Sequence, residues 1–375
     1  MAEPLRILNI SLGGGRAGSG IFAIGLAKKL NQLGHQVIQA CSSNSFTLSS
    51  AKKENLPVHL IDIHGLFEFE KARELAKYVK ENKIQIINTH HSGERYLAIF
   101  AKLLYGCKAK IVITRHAVSG TVPFFGTLIY NIGSDMNIAV SRVVYESLKK
   151  DLTWKKKILY GGINIDPFKK PDDALIERLK EKYGLTDRRI PVIGMVADFD
   201  PNGKNTRGHG KGHPVLFEAV SLLKEKVVLL LIGPNSESCR SLLDLAISRG
   251  LLKDQVMIIP FQENIVPYYY LMDMHILPSF SESLGLVTLE AMAAGIPCIG
   301  TDIGGINEII RHGVNGLLFK KGDPADLTVQ IEKLLNNLPL KKELAEKGKE
   351  SVASFFNMER VARETSDLFY ELMEK

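Results

Sequence analysis

Short aliphatic runs alternate with helix-patterned segments along the chain, and past Ile163 the alternation starts again. "LRILNIS" (Leu5 to Ser11) leads into helical spacing from about Gly20 to Leu33, then "QVIQAC" and "VHLIDI". A helical pattern near Phe67 to Glu81 leads to "IQIINT", one near Glu94 to Tyr105 leads to "KIVITR", and "MNIAV" closes this half. Then "VIGMVA" (Val192 to Ala197), "VVLLLIG", "VMIIP", "MHILP" and "CIGT" repeat the pattern. Apolar strands joined through amphipathic helices predict parallel, doubly wound sheets. Two such halves, joined near Ile163 to Pro171, are the simplest account, with closing helices over Pro324 to Asn336, Leu340 to Ala353 and Met358 to Met373.

The bulk properties exclude several classes. At 375 residues the chain can hold two cores, and 45% hydrophobic with 24% charged residues is an ordinary soluble composition. The opening "MAEPLRILNISLGGG" lacks the basic and apolar regions of a signal peptide. The longest aliphatic run, "VVLLLI", is too short to span a bilayer. Cys41, Cys107, Cys239 and Cys298 stand apart without metal spacing, as expected of reduced thiols in the cytoplasm. Much of the net charge of +7 is local: seven lysines against three acids between Tyr145 and Lys170. This run reads as a solvated face or linker, with an anionic membrane surface or a phosphorylated acceptor as the alternative partner. No aromatic-interleaved basic stripe points to nucleic acid.

Three motifs carry chemistry. "GGGRAGSG" (Gly13 to Gly20) follows the first strand and contains G-x-G-x-x-G. A nicotinamide site, and with it an NAD-dependent oxidoreductase, also needs an acid ending the second strand, and no Asp or Glu lies between Glu3 and Glu54. The glycines still offer backbone N–H groups at a helix start to an anion or a sugar. His90 and His91 end one strand and His116 another. No acid accompanies them in metal-ligand spacing, so polar recognition is expected rather than zinc. Glu282 stands on a Gly-containing loop just before a helix, and Glu290 interrupts that helix's apolar run, where an unpaired charge is costly.

These residues resemble the retaining, GT-B-fold glycosyltransferases of family GT4. Glu282 and Glu290 fit that family's Glu-x7-Glu, followed by "LEAMAAGIPCIGTDIGG". The resemblance extends to the histidines of "NTHHSGERY", to "AVS" (Ala139 to Ser141), "GGINIDPF" (Gly161 to Phe168), Lys211-Gly212, "LLLIGPNSE" and "RHGVNGLLF". It implies transfer of a sugar from a nucleotide-diphosphate donor to an acceptor hydroxyl, with retention at the anomeric carbon. By the same resemblance, Glu290 holds the nucleotide ribose, Glu282 contacts the moving sugar, and Lys211 neutralises the diphosphate. The amides of Ser283, Leu284, Gly285 and Leu286 cap that diphosphate, Gly14 and Gly15 approach the donor phosphate, and His90 stands near the reacting sugar. The sequence departs from the family at Asn88, Gly161 and Asp198. The last stands where an arginine is usual, and Lys204 or Arg207 of the following loop is expected to replace it.

The expectation is a cytoplasmic α/β protein of GT-B fold, with two Rossmann-like domains facing an interdomain cleft. Residues 1–167 form the acceptor domain, 168–356 the nucleotide-sugar domain, and 357–375 a helix packing back on the first. His91, Arg115 and His116 are expected at the acceptor. The apolar loop His116 to Asn131, with Pro123, Phe124 and Phe125, is expected to lie against an acceptor or a membrane face. No cofactor and no metal is expected, since Lys211 and the helix end do the work of a cation. The partners are a nucleotide sugar and a glycan, lipid-linked or small-molecule acceptor. A nucleotide-sugar epimerase is the alternative, distinguished by turning over donor alone.

Overall fold

The computed structural model describes residues 3–13, 18–118, 124–150, 153–186, 189–199 and 210–374, with backbone alone at 124 and 125. The chain divides into two compact units, Met1–Asn164 with Phe356–Lys375, and Ile165–Phe355.

In the first unit β1 (Arg6–Ile10), α1 (Gly18–Gln32), β2 (Gln36–Cys41), α2 (Phe46–Lys53) and β3 (Val58–Leu60) build one wing of a sheet. The other wing follows α3 (Phe69–Glu81) as β4 (Ile86–Thr89), α4 (Ser92–Tyr105), β5 (Lys110–Arg115) and α5 (Phe124–Gly133). It ends with β6 (Met136–Ala139), α6 (Arg142–Lys150) and β7 (Lys156–Ile158). The sheet is parallel, in the order β3-β2-β1-β4-β5-β6-β7.

The second unit opens with α7 (Asp166–Lys169), α8 (Asp173–Lys182), β8 (Val192–Val196), α9 (His213–Ser221) and β9 (Val228–Ile232). It continues through α10 (Cys239–Ser248), β10 (Val256–Ile259), α11 (Val266–Tyr269), β11 (Met274–Leu277) and α12 (Leu286–Ala293). It finishes with β12 (Cys298–Thr301), α13 (Ile306–Ile309), β13 (Leu317–Phe319), α14 (Pro324–Leu335) and α15 (Leu338–Ser354). Its parallel sheet runs β10-β9-β8-β11-β12-β13. The last helix, α16 (Met358–Met373), belongs to the first unit.

Every residue of β4 and β8 is buried, as strands covered on both faces require. Alternation along β1 sends Ile7 to one core with Leu26, Leu30, Val361 and Phe369, beneath α1 and α16. It sends Leu8 and Ile10 to the other core with Leu75, Val79 and Leu97, beneath α3 and α4. Each sheet reverses its strand order once, between β1 and β4 and between β8 and β11. Such a reversal opens a crevice beyond the carboxyl ends of the two strands, where ligands of doubly wound sheets bind.

Three elements differ from the sequence reading. The helix expected near Glu94 starts at Ser92, because Glu94 is its third residue and its side chain closes a capping box with His91. The apolar stretch expected as a loop up to Asn131 is the helix α5 from Phe124 onward, with Thr127 and Tyr130 buried. Part of the basic run expected as a solvated face or linker is the edge strand β7, and lysines on a sheet edge discourage pairing with other chains. Among the described residues no helix is long and apolar enough to cross a membrane.

Candidate active site

In the second unit the reversal point gathers the loop after β11 and the turn leading into α9. Phe280 N–H donates to the Gly210 carbonyl at 3.0 Å, stitching the two together. Gly212, at φ +78°, could not be replaced without strain: a Cβ there would lie 1.9 Å from the Pro278 oxygen. This close approach places Lys211 beside Glu282. Lys211 Nζ donates to Glu282 Oε1 at 2.6 Å, and Ser279 Oγ donates to the same oxygen at 2.9 Å. The Glu282 side chain is 12% exposed and that of Lys211 40%. Ser283 and Leu284 lead to Gly285, whose φ of +92° turns the chain into α12 at Leu286. No side chain caps this helix, which leaves its first N–H groups to water or a ligand.

Glu290 sits one turn further, among the buried Leu289, Ala291 and Met292. It is not unpaired. The hydroxyl of Tyr269, a residue with no exposure at all, donates to Glu290 Oε2 at 2.6 Å. Burial pushes the Glu290 carboxyl up to about 7, and the Tyr269 hydrogen bond pulls it back. One carboxylate oxygen thus has a fixed partner on α11, and the other is available to a ligand.

The first unit holds a polar network at its own reversal point. The Asn9 amide nitrogen donates to the Ala23 carbonyl and to Gln39 Oε1, which leaves Asn9 Oδ1 as an acceptor. His90 Nε2–H and Asn88 Nδ2 both donate to it at 2.9 Å, and Thr114 Oγ1 donates to Asn88 Oδ1 at 2.8 Å. His90 Nδ1 is then an acceptor, filled by His116 Nε2–H at 2.9 Å. The order ends with a lone pair on His116 Nδ1. Burial first, then the charges of nearby groups including His91 and Arg95, hold His90 well below its usual range and His116 at about 3. Both rings are neutral at physiological pH.

Glu94 organises the rest. Its Oε1 accepts from Leu12 N–H and from His91 Nδ1, and its Oε2 accepts from the N–H groups of His90 and His91 at 2.9 and 2.8 Å. His91 Nε2 then meets Ser19 Oγ of α1 at 2.9 Å. A Cβ at Gly13 would come within 3.1 Å of the His91 ring, so the glycine allows the loop to lie on it. Arg115 (5% exposed) and Arg95 (9%) flank this network at the ends of β5 and β4.

The structure therefore brings together Glu282, Lys211, Glu290 and the segment Ser283 to Leu286 in one unit. It brings His90, His91, His116 and Arg115 together in the other. Gly14, Gly15, Lys204 and Arg207 lie outside the described residues. Sequence reasoning missed Ser279, Tyr269, Asn9, Glu94 and Arg95. It also held that no acid accompanied the histidines in ligand spacing, whereas Glu94, three residues after His91, binds that ring and uses both oxygens on hydrogen bonds. A polar residue inside "LRILNIS" and an acid at the third helical position were the available signals.

Comparison with known proteins adds likenesses in sequence and in structure. The sequence model of "Glycosyltransferase Family 4" matches residues 16–167, and that of "Glycosyl transferases group 1" matches residues 205–351. The N-acetyl-alpha-D-glucosaminyl L-malate synthase of Bacillus anthracis is 28% identical over 373 residues, covering 95% of this chain and 94% of that one. A glycosyltransferase crystal structure from Rickettsia africae superposes with a TM-score of 0.88 at 22% identity over all of both chains. The structure of Anabaena Alr3699/HepE in complex with UDP and glucose gives 0.84 at 17% identity, covering 98% of this chain and 100% of that one.

Proposed function

Because this chain belongs to the group 1 glycosyltransferases of family 4 and has the GT-B fold, we propose that it transfers a sugar from a nucleotide-diphosphate donor to an acceptor hydroxyl with retention of anomeric configuration. The observation that carries this reading is the pairing of two carboxylates, Glu282 and Glu290, with Lys211 and an uncapped helix start at the β8/β11 reversal point.

Departure of the nucleoside diphosphate builds negative charge on the phosphates and oxocarbenium character on the sugar. Lys211 and the N–H groups at the start of α12 are fixed donors for the first. In the ligand-free protein Lys211 is held by Glu282, so a diphosphate competes for the ammonium while Ser279 retains the carboxylate. Glu282, freed of its cation, orients the sugar and favours its positive transition state. Glu290 accepts the ribose hydroxyls through the oxygen that Tyr269 leaves open. Binding energy at the remote ribose then positions the reacting centre. His90, 1% exposed with both ring nitrogens engaged, acts through His116 rather than on the sugar itself.

A thermal-shift screen of UDP-, GDP- and ADP-sugars tests the donor. UDP-sugars come first, since HepE binds UDP. Saturation a hundredfold above the dissociation constant stabilises the fold by about 2.7 kcal/mol. Acceptors to be tried with the stabilising donor are glycans, lipid-linked glycans, polyols and the hydroxy acid that the Bacillus relative is named for. An α-linked product from an α-linked donor supports retention; an inverted product refutes it. Turnover in EDTA is expected to match turnover in Mg²⁺. Contact with an anionic membrane belongs to the same reading, since Trp154 is 65% exposed beside Lys155 and Lys157. Absence of salt-sensitive flotation with anionic liposomes removes it.

A further inference from the structure

Among the described residues no carboxylate pairs directly with the charge of Arg95, although that of neighbouring Glu94 acts on it. Arg95 lies in the first turn of α4, just past the carboxyl end of β4, and is 9% exposed. Its Nε has no hydrogen-bond partner, and among the described residues it enters no ion pair. The hydroxyl of Tyr130 on α5, a neutral oxygen that burial keeps protonated, stands near its guanidinium. The adjacent carboxylate, Glu94, is filled by three backbone N–H groups and His91 Nδ1.

Apart from Glu94, the described groups that act on Arg95 supply no negative charge. His90 and His116 are neutral, and Arg95 is one of the charges that keep them so. Arg115, at the end of the neighbouring strand β5, adds positive charge: both arginines act on the Tyr130 hydroxyl. A guanidinium does not give up its proton in a protein, so burial leaves a cation largely stripped of water, whose nearest carboxylate, Glu94, is engaged by other donors. Arg95 follows the carboxyl end of β4, beside the β1/β4 reversal, the edge at which doubly wound sheets bind ligands. An anion entering there would meet a fork of donors already held in place.

We propose that the first unit binds the sugar acceptor through an anionic group, a carboxylate or a phosphate ester, with Arg95 as its principal counter-charge. The proposal rests on the transferase reading and names the acceptor class that reading left open. The acceptor hydroxyl is then carried by a small organic acid or a phosphorylated polyol rather than by a neutral glycan end.

Three matched probes test it: glycerate, glycerol 3-phosphate and neutral glycerol, titrated by calorimetry into the full chain at ionic strength fixed with NaCl. Saturable binding of at least one anion, and none of glycerol, is expected; which anion binds separates carboxylate from phosphate. Arg95→Leu removes a buried charge and keeps an apolar filler. It should weaken the anion at least about tenfold and leave UDP binding unchanged. Should that variant not fold, Arg95→Lys keeps the charge, loses the fork, and should weaken the anion by a similar factor. Saturation by neither anion, or parental affinity in the substituted protein, overturns the proposal. Failure of the parent to bind any nucleotide sugar refutes the transferase reading instead, and the anion titration still reports on Arg95.

Discussion

Glu290 is raised to about 7 by burial, against the pull of the Tyr269 hydrogen bond, so near neutral pH the empty site holds both acid and carboxylate. The sign of the stability effect follows from an unperturbed carboxyl near 4.5. Between that value and about 7 the folded protein holds a proton the unfolded chain has lost, and stability falls as pH rises. The slope from this one group is at most about 1.4 kcal/mol per pH unit, and Glu290→Gln should abolish it in urea unfolding measured across that range. Nucleotide binding should move the other way, because ribose hydroxyls donate to the ionised form. Affinity for UDP is expected to rise with pH to about 7 and then level off, and Tyr269→Phe should displace that rise to higher pH. A UDP affinity independent of pH would show that Glu290 does not hold the ribose. Glu282→Ala should instead cost turnover, by roughly 10²-fold, with little change in donor affinity. Glu290→Ala should weaken the nucleotide by roughly 1.5–3 kcal/mol. The two glutamates were legible in sequence because a charge stood inside an apolar helix and another on a glycine loop. Tyr269 was not, since Tyr268, Tyr269 and Tyr270 are alike in sequence and only the fold selects which one reaches α12.

At the scale of elements, one buried side chain links three. Glu94 begins α4, ends β4 by accepting from His90 and His91, and ends β1 by accepting from Leu12. It is 1% exposed, so its loss cannot be made good by water. Glu94→Gln replaces one acceptor oxygen with a donor facing N–H groups. Each amide left without an acceptor should cost roughly 1–3 kcal/mol, read as a lower urea midpoint of the first unit. Weaker order at Ser19 should accompany it, since His91 loses the acceptor that fixes its tautomer. A variant of parental stability would show that these hydrogen bonds contribute nothing net. The sequence revealed the strands of both sheets because apolar runs in parallel sheets are continuous. It hid α5, where proline and two phenylalanines before Gly126 suggested a surface loop, and β7, where lysines conceal the strand. β7 lies at the edge of its sheet, where burial is partial and the apolar signal weak.

At the scale of the molecule, the chain leaves the first unit after Asn164 and returns at Phe356, and the two crossings are bound to each other inside that unit. Ile163 N–H donates to the Phe356 carbonyl at 2.9 Å, Met358 N–H to the Ile163 carbonyl at 2.8 Å, and Arg360 Nη2 to the Tyr160 carbonyl at 3.0 Å. A side chain at Gly162 would collide with the Phe356 backbone, so the crossing segments lie closer than any other residue would allow. Beyond this clamp α16 lays Val361, Leu368 and Phe369 on the core that α1 shares. The last helix in the sequence is therefore part of the first unit's core, while the sheet between the crossings has a core of its own. Two units that share no core predict two unfolding transitions, and a single free energy of unfolding does not describe the chain. Phe369 has no exposure, and Phe369→Ala should destabilise its core by about 3–5 kcal/mol. In differential scanning calorimetry that substitution should lower one transition and leave the other in place. UDP, bound by Glu290 and Lys211, should raise the one that Phe369→Ala leaves untouched. A single transition moved by both the substitution and the nucleotide would mean that the two units unfold as one, and that α16 carries the stability of the whole chain.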